Sequence, residues 1–295
     1  MYGVPWGSVT QPVTQPATLP WRNRAPRAAP GFHSPAVRTL ARDLGVDLDA
    51  LAGTGADGRV TASDVRSASE ARDILVPFDN IRRRTAVGLL GSKQTIPHAL
   101  TALAADYSAI DAARRVAGLT ALPFVVRAVI DALREFPMMN ATTAEDGVSV
   151  VTHRAVHLGI AVDLDFHGLV VPVVHDADGL RLRALAAAIR DLAARARARK
   201  LGPDDLAGGT FTVTNPGASG TWLSFPVINR PQVGILSTDG VAKLVRAGED
   251  GTLRIAPVGH LCCSFDHRAV DGAYAGSFLM RVQDIVETRD WSSEL

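Results

Sequence analysis

Prolines at the start of the chain set the first limit on its fold. Six of the first 30 residues are proline, set among Ala, Thr, Gln and Arg. Because proline fixes φ and lacks a backbone N–H, this density excludes helix and sheet over residues 1–32 and predicts a Pro/Ala-rich linker there. A shorter polar linker is expected at 69–75. The division leaves a small unit at 33–68 and a large domain at 76–295.

The charge and cysteine content exclude several classes of protein. The 31 Lys and Arg residues nearly balance the 30 Asp and Glu residues, so the chain lacks the basic excess typical of nucleic-acid binding. No apolar run reaches the roughly 18 residues that a membrane-spanning helix needs, and no secretory signal is visible. Cys262 and Cys263 are adjacent, so they cannot form a disulfide framework. We therefore expect a cytoplasmic protein with no nucleic-acid or membrane partner.

The small unit is predicted to hold two short helices around a glycine-rich loop. Ser34 and Pro35 are typical of a helix start, and a second helix is predicted from Thr61 or Ser63. The loop at 53–58 has the spacing Gly-x-Gly-x-x-Gly, which can indicate a dinucleotide site. We reject that interpretation because no strand precedes the loop and no βαβ unit surrounds it.

The large domain mixes the periodicities of helices and strands. Amphipathic helices are predicted at 122–136, 180–199 and 271–286. Strands are predicted at 210–214, 232–236 and 260–265, with a hairpin over 156–162 and 169–174. Because helices and strands alternate irregularly, a layered α/β (α+β) architecture is favoured over a barrel.

The strongest local signal for chemistry lies near the C-terminus. A predicted strand leads into Asp266-His267-Arg268, and Asp271 precedes the last helix. Histidine titrates near neutral pH, so His267 is a candidate general base, with Asp271 placed to orient or tune it. Taken alone, the spacing His-x-x-x-Asp is more typical of a capped helix start with a surface histidine. The other histidines show no metal-ligand spacing, so no metal is predicted.

Several segments resemble one family when they are taken together. Asp-His-Arg-x-x-Asp-Gly at 266–272 resembles the signature of the dihydrolipoamide acyltransferase components of 2-oxo acid dehydrogenase complexes, and chloramphenicol acetyltransferase carries a related His-x-x-x-Asp-Gly. Other segments similar to this family's catalytic domain are 81–84, 92–98, 208–217 and 226–232. In the small unit, 34–42 with 53–60 is similar to the family's peripheral subunit-binding domain. The matches follow the family's order from residue 33 to about residue 287.

The resemblance implies a chloramphenicol acetyltransferase-like catalytic domain behind a small all-helical subunit-binding domain. It implies that His267 removes the proton from a thiol of coenzyme A or dihydrolipoamide, and that the thiolate then attacks an acyl thioester. Thr214 would donate a hydrogen bond to the oxyanion, and Asp271 would support His267. The family's sites lie between the subunits of a homotrimer, so His267 and Thr214 of one site are expected from different chains. Coenzyme A is then a substrate, and the arginines at 82–84 are either solvated or contacts to its phosphates.

The resemblance also implies protein partners for the small unit. Arg38, Arg42 and Arg59 match basic positions that relatives use to hold acidic surfaces of the decarboxylase or dihydrolipoamide dehydrogenase components. The alternative is an ordinary exposed helix face. Binding through these arginines should weaken with salt, because exposed Arg–carboxylate contacts are screened.

The chain departs from the family's pattern at both ends. Family members carry lipoate on a lysine of an N-terminal lipoyl domain, whereas here the subunit-binding unit starts near residue 33 and the first lysine is Lys93. We expect lipoate to be supplied on another chain; the alternatives are that the sequence is a piece of a longer protein or that the acyl acceptor is not a lipoyl protein. Residues 287–295 are mostly polar where members often end in a leucine-rich tail, so trimers are expected without a larger hollow core.

Three functions remain open at this point. The first is acyl transfer between dihydrolipoamide and coenzyme A within a 2-oxo acid dehydrogenase complex. The second is a stand-alone CoA-dependent acyltransferase with a non-lipoyl acceptor, and the third is a non-catalytic scaffold that recruits partners through 33–68. The retained His267, Asp271 and Thr214 disfavour the scaffold. Acetyl, branched-chain and succinyl groups all remain open, because pocket-lining residues distinguish them.

Overall fold

The computed structural model describes residues 33–70, 75–248 and 251–295. The chain divides into two units, 1–77 and 78–295. The linker expected at 1–32 lies outside the described residues, as does most of the one expected at 69–75.

The small unit consists of two helices, as its sequence predicts. α1 (Pro35–Asp43) begins at Ser34, whose hydroxyl accepts a hydrogen bond from the N–H of Val37. α2 (Ala62–Glu70) follows the glycine-rich loop. A core of only five buried side chains holds the unit together: Val37, Ala41, Val46, Val60 and Val65.

The carboxylate of Asp64 in α2 bonds to a residue within the glycine-rich loop and to one after it. Asp64 accepts hydrogen bonds from the hydroxyl of Thr54 at 2.6 Å, the N–H of Thr54 at 3.0 Å and the N–H of Thr61 at 2.8 Å. These bonds, the one from the Thr54 hydroxyl first, hold the pKa of Asp64 well below its usual range. A Cβ at Gly53 would lie 2.2 Å from the carbonyl carbon of Arg59, so only glycine fits there. The glycines therefore serve the turn, which is consistent with our rejection of a dinucleotide site in this loop.

The second unit is a mixed α/β domain. Its helices are α3 (Asn80–Thr95), α4 (Ser108–Ala117), α5 (Leu122–Glu135), α6 (Leu182–Arg197) and α7 (Gly272–Thr288). Its strands are β1 (His98–Asp106), β2 (Ala141–Thr143), β3 (Val150–Thr152), β4 (Leu158–Ile160), β5 (Val162–Asp163), β6 (Leu169–Val170), β7 (Val173–Val174), β8 (Phe211–Thr214), β9 (Gly234–Thr238), β10 (Ala242–Ala247) and β11 (Leu253–Asp266). The predicted α/β (α+β) class is confirmed.

One seven-stranded sheet carries the domain. Its order is β1-β11-β9-β8-β4-β7, and β10 pairs with the first part of β11. β8 is parallel to both β4 and β9, while the other pairings are antiparallel. Two strand pairs, β2 with β3 and β5 with β6, form separate small sheets. Because β8 runs parallel to β9 and β11 runs antiparallel to it, the C-terminal ends of β8 and β11 lie at opposite edges of the sheet.

Aromatic side chains join the helices to this sheet. Phe278 of α7 contacts Phe211 of β8 edge to face, with ring centroids 5.8 Å apart. Phe124 of α5 contacts Trp291 in the same way at 5.3 Å. All four side chains are almost fully buried. Such pairs add about 0.5–1.5 kcal/mol each beyond the area that they bury, so they help to fix α7 against the sheet and α5 against the C-terminal segment around Trp291.

Candidate active site

His267 stands directly after the long strand β11, where neighbouring strands hold the backbone on both sides. The N–H of Asp266 donates to the carbonyl of Val233 at 2.8 Å, and the N–H of His267 donates to the carbonyl of Pro97 at 3.1 Å. The imidazole is half-exposed and faces a small cavity of about 210 Å³ shared with Met138 and Tyr274. A fixed backbone and an open ring are what a general base requires.

Asp271 lies close to His267, but the contact is loose. Its Oδ1 is 3.7 Å from Nδ1 of His267, beyond a hydrogen bond, and its side chain is 91% exposed. Asp271 is the N-cap residue of α7, although its side chain makes no capping hydrogen bond. In the single chain, Asp271 can therefore orient His267 only weakly.

Asp266 and Arg268 form a much tighter pair on the other side of the histidine. Arg268 donates from Nη2 to Oδ2 of Asp266 at 2.6 Å, and from both Nε and the backbone N–H to Oδ1 at 3.0 Å. Burial alone would raise the pKa of Asp266, but the hydrogen bonds and charge of Arg268 outweigh it and lower that pKa. Sequence reasoning assigned this pair no role. The Asp-x-Arg spacing around the histidine was the available signal.

Thr214 is the last residue of β8 and lines the largest of the described cavities. That cavity measures about 530 Å³ and lies between α3, β8 and the loop 226–230. Within the described part of the chain, the hydroxyl of Thr214 has no hydrogen-bond partner, whereas Thr212 donates to Oε1 of Gln232 at 2.6 Å. The hydroxyl is therefore available to a ligand in the cavity.

The structure does not bring Thr214 and His267 together within one chain. In the sheet, Thr214 pairs with Ser237 of β9, and Ser237 pairs with Cys262 of β11. His267 lies five residues beyond Cys262, directly after β11, which is two positions away from β8 in the sheet. These two offsets separate His267 from Thr214 by roughly 19 Å. The two residues occupy the walls of different cavities. Within one chain, the two predicted site residues thus lie in two separate candidate half-sites.

A pair of side chains fastens the loop that forms one wall of the large cavity. Ile228 is fully buried; its carbonyl accepts from the hydroxyl of Ser92 at 2.7 Å, and its N–H donates to Nε2 of His98 at 3.1 Å. Nδ1 of His98 lies 2.9 Å from the carbonyl of Ile96. An Nε2 that accepts leaves Nδ1 to donate to that carbonyl. Sequence reasoning quoted this segment but missed its role.

The three neighbouring arginines of α3 have separate roles. Arg82 donates to the carbonyl of Phe166 at 3.0 Å, Arg83 donates to Oδ1 of Asn80, and Arg84 lines the large cavity. All three side chains are exposed, and each makes a different contact.

The two cysteines are buried in β11, as expected of small apolar residues. Burial raises the pKa of the Cys262 thiol to about 12 and raises that of Cys263 as well. At such values neither thiol ionises near neutral pH, so neither is a nucleophile.

The small unit presents Arg38 and Arg42 on one exposed face of α1. Both line a shallow hollow of about 360 Å³, together with Asp47 and Asp49. Arg42 also lies 3.7 Å from Asp43, a contact between exposed side chains. Arg59 is exposed beyond the glycine-rich loop and is not part of that hollow. The structure therefore joins two of the three predicted arginines in one surface.

Neither a metal-binding cluster nor a membrane-spanning helix is found among the described residues. Across 33–70, 75–248 and 251–295, no group of three or more His, Cys, Asp or Glu residues is placed to hold a metal ion. No helix in those ranges has the length and apolar character needed to cross a membrane.

Comparison with known proteins identifies the class. Residues 70–292 match the catalytic domain of the 2-oxoacid dehydrogenase acyltransferases, so the protein is an acyltransferase by class. Residues 31–66 match the E3 binding domain. The first match alone covers most of the chain, and the chain therefore belongs to the 2-oxoacid dehydrogenase acyltransferase family.

Individual relatives agree with this membership. The chain is 33% identical over 305 residues to the lipoamide acyltransferase component of the branched-chain alpha-keto acid dehydrogenase complex of Bacillus subtilis, covering 88% of this chain and 71% of the relative. It is 35% identical over 308 residues to the dihydrolipoyllysine-residue acetyltransferase component of the pyruvate dehydrogenase complex of Mycobacterium bovis, covering 89% of this chain. It spans only 56% of that relative's length.

A solved relative has the same fold. The structure of Azotobacter vinelandii dihydrolipoamide acetyltransferase superposes with a TM-score of 0.70 and 31% identity, covering 75% of this chain and 93% of the other. That work concerned the role of a serine, a histidine and an asparagine in the catalytic mechanism, the last two being four residues apart.

Proposed function

We propose that this protein transfers an acyl group between dihydrolipoamide and coenzyme A within a 2-oxo acid dehydrogenase complex. His267 takes the proton from the attacking thiol, whose pKa of about 8.5 leaves little thiolate at neutral pH. The thiolate attacks the carbonyl carbon of the acyl thioester and forms a tetrahedral oxyanion. The oxyanion then collapses, the original thiolate leaves, and His267 returns the proton to it.

Thr214 is proposed to stabilise the oxyanion through its hydroxyl. One such donor contributes about 3–4 kcal/mol to a comparable transition state. The free hydroxyl at the cavity wall supports this role, and so does the hydroxyl-bearing serine studied with a histidine in the Azotobacter vinelandii relative. Asp271 matches the spacing of that relative's asparagine from its histidine and is proposed to support His267.

The observation that carries this proposal is the separation of the two half-sites. Because His267 and Thr214 lie roughly 19 Å apart in one chain, a working site needs His267 of one subunit and Thr214 of another. The segment that follows Thr214 supports such an interface, since large apolar side chains are half-exposed there: Trp222, Leu223 and Phe225. We propose a homotrimer, in which three such interfaces make three sites.

The subunit-binding domain, proposed at 33–68, is assigned to dihydrolipoamide dehydrogenase and to the decarboxylase component. The match of residues 31–66 to the E3 binding domain supports the first partner. Arg38 and Arg42, exposed on one face of α1, suit an acidic surface, and Arg59 is proposed to add a contact of the same kind. Partner binding is then expected to weaken as salt rises from 50 to 300 mM, concentrations over which rim ion pairs are increasingly screened.

The lipoyl group is proposed to reach the site from outside the catalytic domain. Lipoate is carried on a lysine in this family, and the lysines of these 295 residues are Lys93, Lys200 and Lys243. All three fall in the segment that matches the catalytic domain, residues 70–292. The dihydrolipoamide arm is therefore treated as a substrate that enters from outside.

Acyl transfer from acyl-CoA to free dihydrolipoamide tests the proposal. The protein should form S-acyl-dihydrolipoamide with at least one of acetyl-, isobutyryl- and succinyl-CoA, and His267→Ala should lower the rate about 10²–10⁴-fold. A Cys262→Ala variant serves as the control, because that thiol is buried and is given no part in the chemistry. Transfer no faster than in His267→Ala with every donor would contradict the proposal. Transfer to other thiols but not to dihydrolipoamide would favour a stand-alone acyltransferase.

A further inference from the structure

The large cavity beside Thr214 has an uneven charge. Among its 17 lining residues the only charged ones are Arg84 and Arg230, and no acidic residue is present. Within the described residues, neither guanidinium makes a hydrogen bond or an ion pair. The remaining walls are mostly apolar. Two unpaired cations beside an apolar surface suit a ligand that has both a short carbon chain and an anionic end.

The position of Arg230 is set by the structure around it. Ile228, two residues earlier, is fastened through both its backbone groups by Ser92 and His98. The guanidinium then lies across α3 at Gly91, where an added Cβ would be 2.8 Å from Nη2 of Arg230. A glycine at 91 thus leaves room for this side chain. The guanidinium therefore lies at the rim of the cavity.

Arg84 reaches the same cavity from the helix itself. It follows Arg82 and Arg83 in sequence, but the guanidinium groups of those two donate to the carbonyl of Phe166 and to Oδ1 of Asn80. Arg84 instead lines the cavity beside Thr85. The loop and the helix therefore each contribute one cation to one cavity.

The size of the cavity indicates which anion the arginines meet. A volume of 530 Å³ corresponds to a space roughly 10 Å across, and Thr214 lies on its wall with the two arginines. A carboxylate at the end of a four-carbon acyl chain lies about 5 Å from the thioester carbonyl and stays within this space. The diphosphate of coenzyme A is separated from the sulfur by about 15 Å of extended pantetheine and extends beyond it. An anion near the reacting carbonyl is therefore the carboxylate of the acyl group.

We propose that Arg84 and Arg230 bind the terminal carboxylate of a dicarboxylic acyl group, of which succinyl is the simplest four-carbon case. This inference rests on the proposed function and names its substrate class. Family likeness does not choose the acyl group, because the relatives named for a branched-chain complex and for a pyruvate complex are 33% and 35% identical to this chain. The two arginines that line the cavity favour an acyl group with a terminal carboxylate.

A comparison of matched donors tests this specificity. Succinyl-CoA and butyryl-CoA have acyl chains of the same length, and only the first carries a carboxylate. We expect kcat/KM for succinyl-CoA to exceed that for butyryl-CoA at least tenfold, with dihydrolipoamide as the acceptor. Arg84→Gln and Arg230→Gln should each lower the succinyl value about 10–100-fold and change the butyryl value less than about threefold, because each removes one charged hydrogen bond. Arg83→Gln, on the same helix but outside the cavity, should change neither value. Equal use of the two donors by the unaltered protein would overturn the proposal.

Donors without phosphates separate the acyl carboxylate from coenzyme A itself. S-succinyl- and S-butyryl-N-acetylcysteamine keep the thioester and omit the nucleotide. The proposal expects the succinyl preference, and its loss in Arg230→Gln, to persist with these compounds. If the arginine variants impair both CoA thioesters alike and leave both short thioesters unchanged, the arginines bind phosphate and the proposal is wrong.

Binding to an inactive variant keeps the two proposals distinguishable. Calorimetry with the His267→Ala protein measures binding of the same two short thioesters without turnover. Tighter binding of the succinyl compound, about tenfold or more and lost in His267→Ala/Arg230→Gln, supports the carboxylate site even if the native protein transfers nothing to dihydrolipoamide. Equal binding of the two compounds overturns it, whatever the outcome of the transfer assay.

Discussion

Arg268 and Asp266 show how a buried charge can stabilise the backbone beside a reactive side chain. Asp266 is 1% exposed, and a carboxylate removed from water in this way is stable only when other groups satisfy it. Arg268 donates hydrogen bonds to this carboxylate from its backbone N–H and its guanidinium. His267 lies between the two residues in sequence. Together with the backbone bonds of Asp266 and His267 to neighbouring strands, this pair sets the direction in which β11 ends. The position of the imidazole therefore depends on a residue that does no chemistry.

Replacing Arg268 should destabilise the catalytic domain in a manner that depends on pH. In the native protein the lowered pKa of Asp266 means that its stabilisation is present above the unfolded value of about 3.9 and is lost as the pH falls through the folded value. In Arg268→Gln, uncompensated burial should raise that pKa above the unfolded value, so the penalty grows as the pH rises. We expect a loss of about 1–3 kcal/mol at pH 7.5 and a smaller loss at pH 4.5, measured by chemical unfolding.

The control for this variant is an exposed arginine of the same domain. Arg281 of α7 pairs with Glu135 and Asp284, and all three side chains are substantially exposed. Arg281→Gln should cost less than about 1 kcal/mol, with little difference between the two pH values. Losses for Arg268→Gln that match those of the control at both pH values would contradict the account of Asp266.

The sequence could propose His267 as the base but not the geometry of its neighbours. The motif around the histidine supports that proposal because several other segments resemble the same family in the same order. The burial of Asp266 and the exposure of Asp271 are tertiary properties, set by how β1 and β9 flank the end of β11. No local pattern distinguishes those two aspartates, so sequence reasoning emphasised the more exposed one.

At the scale of elements, α3 holds the wall of the large cavity. Its Ser92 donates to the buried carbonyl of Ile228, and His98, at the start of β1, accepts from the N–H of the same residue. Ile96, Ile228 and Ile235 form a small apolar cluster around these bonds. Both backbone groups of a buried loop residue are thereby satisfied, which the loop could not achieve through the sheet.

Removal of the Ser92 hydroxyl tests this fastening. Ser92→Ala leaves the carbonyl of Ile228 buried and unpaired, so we expect a loss of about 1–3 kcal/mol in unfolding free energy. Because the loop forms one wall of the cavity, the KM for the acyl donor should rise more than kcat falls. Thr95→Ala is the matched control, since its hydroxyl bonds only to the carbonyl of Gly91 on the exposed side of α3. A Ser92→Ala variant with control-like stability and KM would contradict the fastening.

The helices that sequence patterns predicted most closely are those with a regular apolar face. α5, α6 and α7 lie within two residues of their predicted bounds, because their apolar positions repeat at helical spacing. β9 is displaced by two residues from the prediction, and the predicted strand at 260–265 is the end of the 14-residue β11. β1 was missed, because its alanine-rich sequence and mixed burial lack the alternation of a half-buried strand.

At the scale of the whole molecule, the account predicts a trimer without a larger hollow core. Trp291 is buried against Phe124, and Arg289 bonds to Asp131 at 2.6 Å and to Glu294 at 3.1 Å. Residues near 290 thus pack onto their own domain rather than projecting towards a neighbour. Light scattering should give a particle of three 31.2-kDa chains. A particle near a megadalton would contradict the prediction.

The strand register of the sheet separates Thr214 from His267 within one chain. The parallel pairing of β8 with β9 and the antiparallel pairing of β9 with β11 place Thr214 and His267 at different levels of one sheet. Under the proposed mechanism neither residue completes a site alone, so we expect catalysis to depend on how the chains associate. Sequence resemblance implied this division between chains, while the separation in a single chain required the strand register.

Subunit complementation tests this central claim most directly. His267→Ala and Thr214→Ala variants are each expected to transfer acyl groups at least about 10²-fold more slowly than the native protein. When the two variants are co-expressed in equal amounts and associate at random, about one interface in four, averaged over all trimers, pairs an intact His267 with an intact Thr214. The account predicts recovery of roughly a quarter of native activity in the co-expressed protein. Activity no higher than that of the two variants assayed separately would contradict it.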